Sequence, residues 1–139
     1  MSSKIIYDMN TMKFISAFQS LTKTSVRDCI PGEKTIMFVV GEGELGKAIG
    51  KSAENVRRLA NYFKRKIKIV EFSNNVLSFI KNLVQPLKIA TIEENEGIVV
   101  ITAPDSQTRG YLIGRGGSAL RQLEETVKRH FRINEIRVL

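Results

Sequence analysis

The sequence predicts a mixed α/β (α+β) protein built from two tandem copies of one αββααβ unit, each with a three-stranded sheet packed on helices. Three observations point there. The chain has 139 residues, room for two small domains and nothing larger. Its composition, 42% hydrophobic and 26% charged, is that of folded rather than disordered protein. A shift of 64 residues lays Gly46, Ile49 and Gly50 on Gly110, Ile113 and Gly114, and Arg57, Leu59, Lys64 and Arg65 on Arg121, Leu123, Lys128 and Arg129.

In the first copy, Phe14, Ile15, Phe18 and Leu21 recur at helical spacing, after Asn10 and Thr11, which are placed to cap. Ser25 to Ile30 and Thr35 to Val40 read as strands joined by a turn at Pro31-Gly32-Glu33-Lys34. Glu44 to Ile49 forms a short helix broken at Gly50. Val56, Leu59, Ala60 and Phe63 then make one face of a longer helix, and Ile67, Ile69 and Phe72 close the unit as a strand. The second copy opens with an apolar helix from Val76 to Val84, stopped by Pro86. Strands follow over Leu87 to Glu94 and Ile98 to Ala103, around a turn at Asn95-Glu96-Gly97. Gln107 to Ile113 is a short helix ended by Gly114, Leu120, Leu123 and Val127 line a longer one, and Ile133 to Leu139 is the last strand. The boundary falls near Ser73-Asn74-Asn75, giving units over 1–72 (with a short extension over about 1–9) and 73–139. Almost no linker remains, which predicts units packed rigidly together.

Charge narrows the partners. A net charge of +8 and a pI near 9.8 favour polyanions, nucleic acid before an anionic membrane surface. No apolar run approaches the length of a membrane span, and the N-terminus lacks a signal-peptide core, so the expectation is a soluble cytoplasmic protein with no membrane partner. One cysteine and one histidine exclude a disulfide or a Cys/His zinc site within the chain. Cys29 reads as a buried thiol and His130 as a surface imidazole. No catalytic residues, metal site or cofactor are expected.

The stretch Gly41 to Ser52 mimics several phosphate loops. Gly41, Gly43 and Gly46 fit the dinucleotide pattern G-x-G-x-x-G, with Glu71 as its acidic residue. Glu42 and Glu44 oppose it, because they put negative charge where a pyrophosphate would sit, and the second copy keeps only the last of these glycines. Gly41 to Ala48 is one residue from a P-loop, but Ala48 lacks the hydroxyl that holds Mg²⁺. What the repeat preserves is different: Ile49-Gly50-Lys51-Ser52-Ala53 and Ile113-Gly114-Arg115-Gly116-Gly117, each between a short helix and a longer one. A helix start offers backbone N–H groups and a positive dipole end to a phosphate, small residues admit a backbone closely, and Lys51 and Arg115 add charge. These glycines could also serve only as tight helix–helix turns.

Ile-Gly-x-x-Gly between two helices resembles the KH module, whose loop clamps a short single-stranded stretch, and the αββααβ order resembles its type II form. Two such units in tandem, with Gly46-Lys47-Ala48-Ile49-Gly50-Lys51 running into Glu54-Asn55-Val56-Arg57-Arg58-Leu59-Ala60, resemble the KH pair of the NusA family, in particular its short archaeal form; Val26-Arg27-Asp28-Cys29 adds to the likeness. The resemblance covers about residues 10–139. It implies single-stranded RNA binding linked to transcription elongation, pausing or termination, with the two loops forming one extended surface. Bacterial relatives carry further polymerase-binding and S1 domains that this sequence lacks, so polymerase contact does not carry over. The first loop ends in Ala53 rather than glycine, and whether that matters depends on the sign of φ there.

The candidate RNA-binding residues are therefore Lys47, Ile49, Gly50, Lys51, Ser52, Ala53, Arg57 and Arg58 in the first unit. In the second they are Arg109, Ile113, Gly114, Arg115, Gly116, Gly117 and Arg121. Residues 46–68 hold eight Lys/Arg against the single acid Glu54; Lys64-Arg65-Lys66, at the far end of its helix, reads equally as a solvated face. Ile49 and Val56, and Ile113 and Leu120, would line a groove with a strand residue from each sheet. Tyr111 is the one aromatic expected to be exposed. Two alternatives stand beside RNA binding: an adaptor docking on RNA polymerase or ribosome, and a nucleotide-binding enzyme, for which no acid–base pair or nucleophile speaks. The chain is expected to be a monomer.

Overall fold

The structure, a computed structural model, describes residues 5–139, so the first four residues of the N-terminal extension lie outside the described residues. Two units segregate, Ile6–Ser73 and Asn74–Leu139.

In the first, Asp8 opens helix α1 (Met9–Thr22) by accepting a 2.7 Å hydrogen bond from the Thr11 backbone N–H. The cap is thus Asp8 and not Asn10 or Thr11: it lies two residues before the first expected cap, Asn10. Strand β1 (Val26–Pro31) turns through Gly32 into β2 (Thr35–Val40), antiparallel to it, with a bulge between Val26 and Asp28. Pro31 ends an edge strand, where its missing donor is tolerated. Short helix α2 (Leu45–Ile49), a 3₁₀ turn at Lys51–Ala53 and helix α3 (Glu54–Phe63) lead to β3 (Lys66–Glu71), parallel to β2, so the sheet order is β1-β2-β3. The helices cover one sheet face. Phe18 stacks on Phe38 with ring centroids 4.2 Å apart, and Cys29, Ile36, Val40, Ala48 and Leu59 complete a buried cluster that Phe14, Phe63, Ile67 and Ile69 flank.

The second unit repeats the plan. Asn75 caps α4 (Val76–Val84) at the Ser78 N–H, 3.1 Å. Strands β4 (Thr91–Asn95) and β5 (Ile98–Thr102) form a hairpin, and α5 (Ser106–Ile113), a 3₁₀ turn at Arg115–Gly117 and α6 (Ser118–Lys128) lead to β6 (Glu135–Val138), parallel to β5. Phe79, Ile80, Val99, Ile101 and Val127 are fully buried. Leu87–Ala90 is not strand, contrary to the expectation from its apolar run. Register pairs Asn95 with Ile98 and Thr91 with Thr102, so β5 ends there and leaves Leu87 without a partner strand; its N–H closes a turn on Val84 instead.

Four residues also differ from their sequence reading. Lys64 is the left-handed cap of α3 and Lys66 already belongs to β3, so Lys64-Arg65-Lys66 is not a helical face. Arg65 is committed to the fold, lying 5.3 Å over the Phe14 ring and donating to the Gly32 carbonyl at 3.2 Å. His130 is half-buried with its ring edge-on to Phe79, centroids 5.6 Å apart, rather than a surface imidazole, while Cys29 is buried as expected.

Candidate nucleic-acid interface

The two loops have the same backbone. Gly50 has φ 81°, ψ 170° and Gly114 φ 74°, ψ 174°. Ser52 (φ 53°, ψ 34°) matches Gly116 (φ 61°, ψ 21°), and Ala53 (φ 58°, ψ 30°) matches Gly117 (φ 79°, ψ 12°). Each first glycine donates back into the short helix, Gly50 to Gly46 O at 3.0 Å and Gly114 to Gly110 O at 2.8 Å. Each last residue donates to that first glycine's carbonyl at 3.2 Å. The first position needs glycine on two counts. Its φ is positive, and an added Cβ would come within 2.9 Å of the Asn55 side chain in one loop and 2.7 Å of the Ala119 backbone N in the other. The last position is also left-handed, which decides the question left by Ala53: the loop keeps its shape, and the alanine bears the strain.

No side chain caps either α3 or α6 at its start; the corner N–H groups of Ala53 and Glu54, and of Gly117 and Ser118, donate to carbonyls of their own loop. Lys51, Ser52, Arg115 and Gly116 are exposed, and among the described residues neither Lys51 nor Arg115 has an ion-pair partner. Lys47 and Arg109 are exposed on α2 and α5. Ile49, Val56, Ile113 and Leu120 are half-buried beside the loops, and α2 and α3 pack against β3 as α5 packs against β6. Arg58 pairs with Glu54 at 2.8 Å, both exposed on the first turns of α3. Arg57 and Arg121 turn back on their own loops, donating to the carbonyls of Ser52 and Gly116, the latter at 2.7 Å.

The dinucleotide pattern dissolves in the structure. The Gly43 N–H donates to the Glu71 carboxylate at 3.1 Å, and a Cβ at Gly41 would meet the Glu44 carboxylate at 2.9 Å. Carboxylates thus line the corner where that pattern requires a phosphate. Asn55, unremarked in the sequence, ties α3 to the end of α2 by donating to the Lys47 carbonyl at 3.3 Å; a short amide in a helix's first turn is the signal that could have found it. Tyr62 is as open as Tyr111, 73% against 60%, so Tyr111 is not alone. Burial pulls the Lys68 ammonium on β3 below its ordinary value, setting it apart from the exposed cations counted with it. Among the described residues no group of three or more His, Cys, Asp or Glu side chains is arranged to hold a metal, and no helix is long and apolar enough to cross a membrane.

Two αββααβ units, each with a three-stranded sheet on helices and a glycine-led corner between its short and long helix, define a tandem KH-like protein. The crystal structure of APE1850 is similar throughout: TM-score 0.73 and 27% identity, over 96% of this chain and all of that one. A protein of Methanococcus vannielii named probable transcription termination protein NusA is 30% identical over 90% of this chain and 74% of its own length. Proteins of the same name from Methanocaldococcus jannaschii and Thermoplasma acidophilum are each 28% identical, the latter over 98% of this chain and 96% of its own. No protein-family model matches the chain. The chain belongs to the family of these archaeal NusA proteins.

Proposed function

We propose that the chain binds single-stranded RNA through its two glycine-led loops and acts as a NusA-like factor in transcription elongation or termination. The observation that carries this is the loop backbone itself, held alike twice, with an exposed cation at its second position that has no ion-pair partner among the described residues. A phosphate at the loop would meet the positive end of the following helix's dipole and the charge of Lys51 or Arg115. Ile49 with Val56, and Ile113 with Leu120, would support unstacked bases, as the open edges of single-stranded RNA require.

The loops are not equivalent partners. Glu54 opens α3 where Ser118 opens α6, so a phosphate at the first loop meets a carboxylate that the second lacks. The second loop is therefore the stronger clamp. On this proposal the protein works as a monomer in the cytoplasm, a binding protein rather than an enzyme, without metal or cofactor.

The test is fluorescence anisotropy with unstructured and duplex RNA, for the native chain and for Lys51→Asp, Ser52→Asp, Arg115→Asp and Gly116→Asp together. Salt-sensitive binding that prefers the unpaired strand, and its loss in the fourfold variant, is expected. Unchanged affinity would refute the proposal. Capture of RNA polymerase or ribosome that survives all four changes would move the function to an adaptor role.

A further inference from the structure

We infer that Arg57 and Arg121 are positioning residues that hold the loops in their binding shape, rather than ligands of the RNA phosphates. Each is the fourth residue of the helix that follows its loop. In both units its Nη1 donates to the carbonyl of the third loop residue, Ser52 or Gly116, five positions back. That carbonyl sits between two consecutive left-handed residues, 52 and 53 or 116 and 117, the least ordinary peptide of the loop. A second measurement places the guanidinium over the rest of the corner: a Cβ on Gly117 would lie 3.0 Å from Arg121 Nη1. The arginine thus lies against both left-handed residues of the second loop.

The repeat sharpens the argument. The residues under the arginine differ, Ser-Ala in one unit and Gly-Gly in the other, yet the arginine and its bond recur. A planar guanidinium suits this task, because it can keep one N–H on a carbonyl in a fixed direction while staying charged. The two units should depend on it unequally. Side chains at Ser52 and Ala53 already restrict the first loop, whereas Gly116-Gly117 has the freedom of two glycines, so Arg121 has more disorder to suppress than Arg57.

The inference rests on the loops being the RNA site, and the experiment separates the two ideas. In Arg121→Met without RNA, the ¹⁵N heteronuclear NOEs of residues 115–118 are expected to fall while those of α6 hold. RNA affinity is expected to weaken about tenfold, as loss of one ordering hydrogen bond allows, with the slope of log affinity on log salt unchanged. Arg115→Met supplies the contrast: its slope should drop by about 0.7, the value for one lost phosphate contact on a single strand. Arg57→Met repeats the measurement in the first unit with a smaller change, and serves alone if Arg121→Met does not fold. Unaltered loop NOEs with a slope lowered by about 0.7 would overturn the inference and make Arg121 a phosphate ligand. If the native chain binds no RNA, the functional proposal fails while the NOEs still decide the brace.

Discussion

Replacing Ala53 with glycine should stabilise the first unit. Ala53 holds φ 58°, ψ 30° with no side-chain cap bond to compensate. A Cβ in that left-handed region costs about 1–2 kcal/mol, because it crowds the neighbouring carbonyl. Glycine removes the crowding but gains freedom in the unfolded chain, which returns about 0.4–1 kcal/mol. The net gain lies between about 0 and 1.6 kcal/mol, centred on about 0.8, and in a unit the size of Ile6–Ser73 that central value raises the midpoint by about 3–6 °C. Thermal unfolding followed through first-unit NMR resonances reads it directly, without averaging over the second unit. The reciprocal change, Gly117→Ala, puts a methyl at φ 79° and should cost the second unit at least a comparable amount, because that methyl would also lie 3.0 Å from the Arg121 Nη1 that bonds the Gly116 carbonyl. A lower midpoint for Ala53→Gly would refute the left-handed assignment, and with it the claim that both loops share one backbone.

Three further outcomes follow from the same geometry. Gly114→Ala should destabilise more than Gly50→Ala, by about 2–4 against 1–2 kcal/mol in urea unfolding; its Cβ meets the Ala119 backbone at 2.7 Å, where Gly50 meets mostly the movable Asn55 side chain. Tyr7→Phe should cost the first unit about 1–3 kcal/mol by the same assay, because the Tyr7 hydroxyl donates at 2.7 Å to the fully buried Asp28 carboxylate. The Thr108 backbone N–H, and then its hydroxyl, hold the Asp105 carboxyl below the ordinary aspartate range. A depressed carboxylate stabilises above its unfolded value and loses that contribution as pH falls through its folded one. Protection from hydrogen exchange in the first turn of α5, taken relative to the intrinsic rate at each pH, should therefore fall below about pH 4, and Asp105→Asn should abolish that dependence while keeping the cap.

Much of the fold was legible because its signals are periodic and occur twice. The apolar stripes at Phe14–Leu21 and Val76–Val84, the alternation at Ile67–Ile69 and the register of glycines between the units all describe elements the structure contains. Where the sequence misled, a partner decided the matter. Asp8 caps α1 from outside the apolar stripe, and the apolar run at Leu87–Ala90 is no strand because β5 ends before reaching it. Val26-Arg27-Asp28-Cys29, a stretch that carries family likeness, turns out to build the core's edge: Arg27 lies 4.2 Å over Phe72, Asp28 binds Tyr7 and Cys29 is buried. At the loops the glycines mark the corner, whereas charge alone does not say what each neighbouring cation touches. Arg57, Arg58 and Arg65 look alike in a basic run, yet one turns to its loop carbonyl, one to Glu54 and one to Phe14. Arg57's choice rests on the left-handed backbone at Ser52 and Ala53, which no glycine announces.

The shared backbone constrains what can distinguish the two loops. Had Ala53 forced a different corner, the first loop would have been a poor copy by shape. Because φ stays positive there, shape is common to both, and the difference reduces to stiffness and field. Side chains at Ser52 and Ala53 should make the first loop the more ordered before any ligand arrives, so on the proposed function it would lose less entropy on clamping a phosphate. Against that stands Glu54, whose charge Arg58 offsets at 2.8 Å in an exposed pair, an interaction worth little in water. A phosphate at the first loop therefore contends with a carboxylate that is neutralised only in part. In the second loop Ser118 leaves Arg115 unopposed, and the flexible Gly116-Gly117 corner relies on Arg121 for its order. Ordering by side chains with an opposing charge in one unit, and ordering by a brace with an open field in the other, are two routes to the same corner. Raising salt screens the field and leaves the ordering intact, so the second loop should lose its advantage first as ionic strength rises.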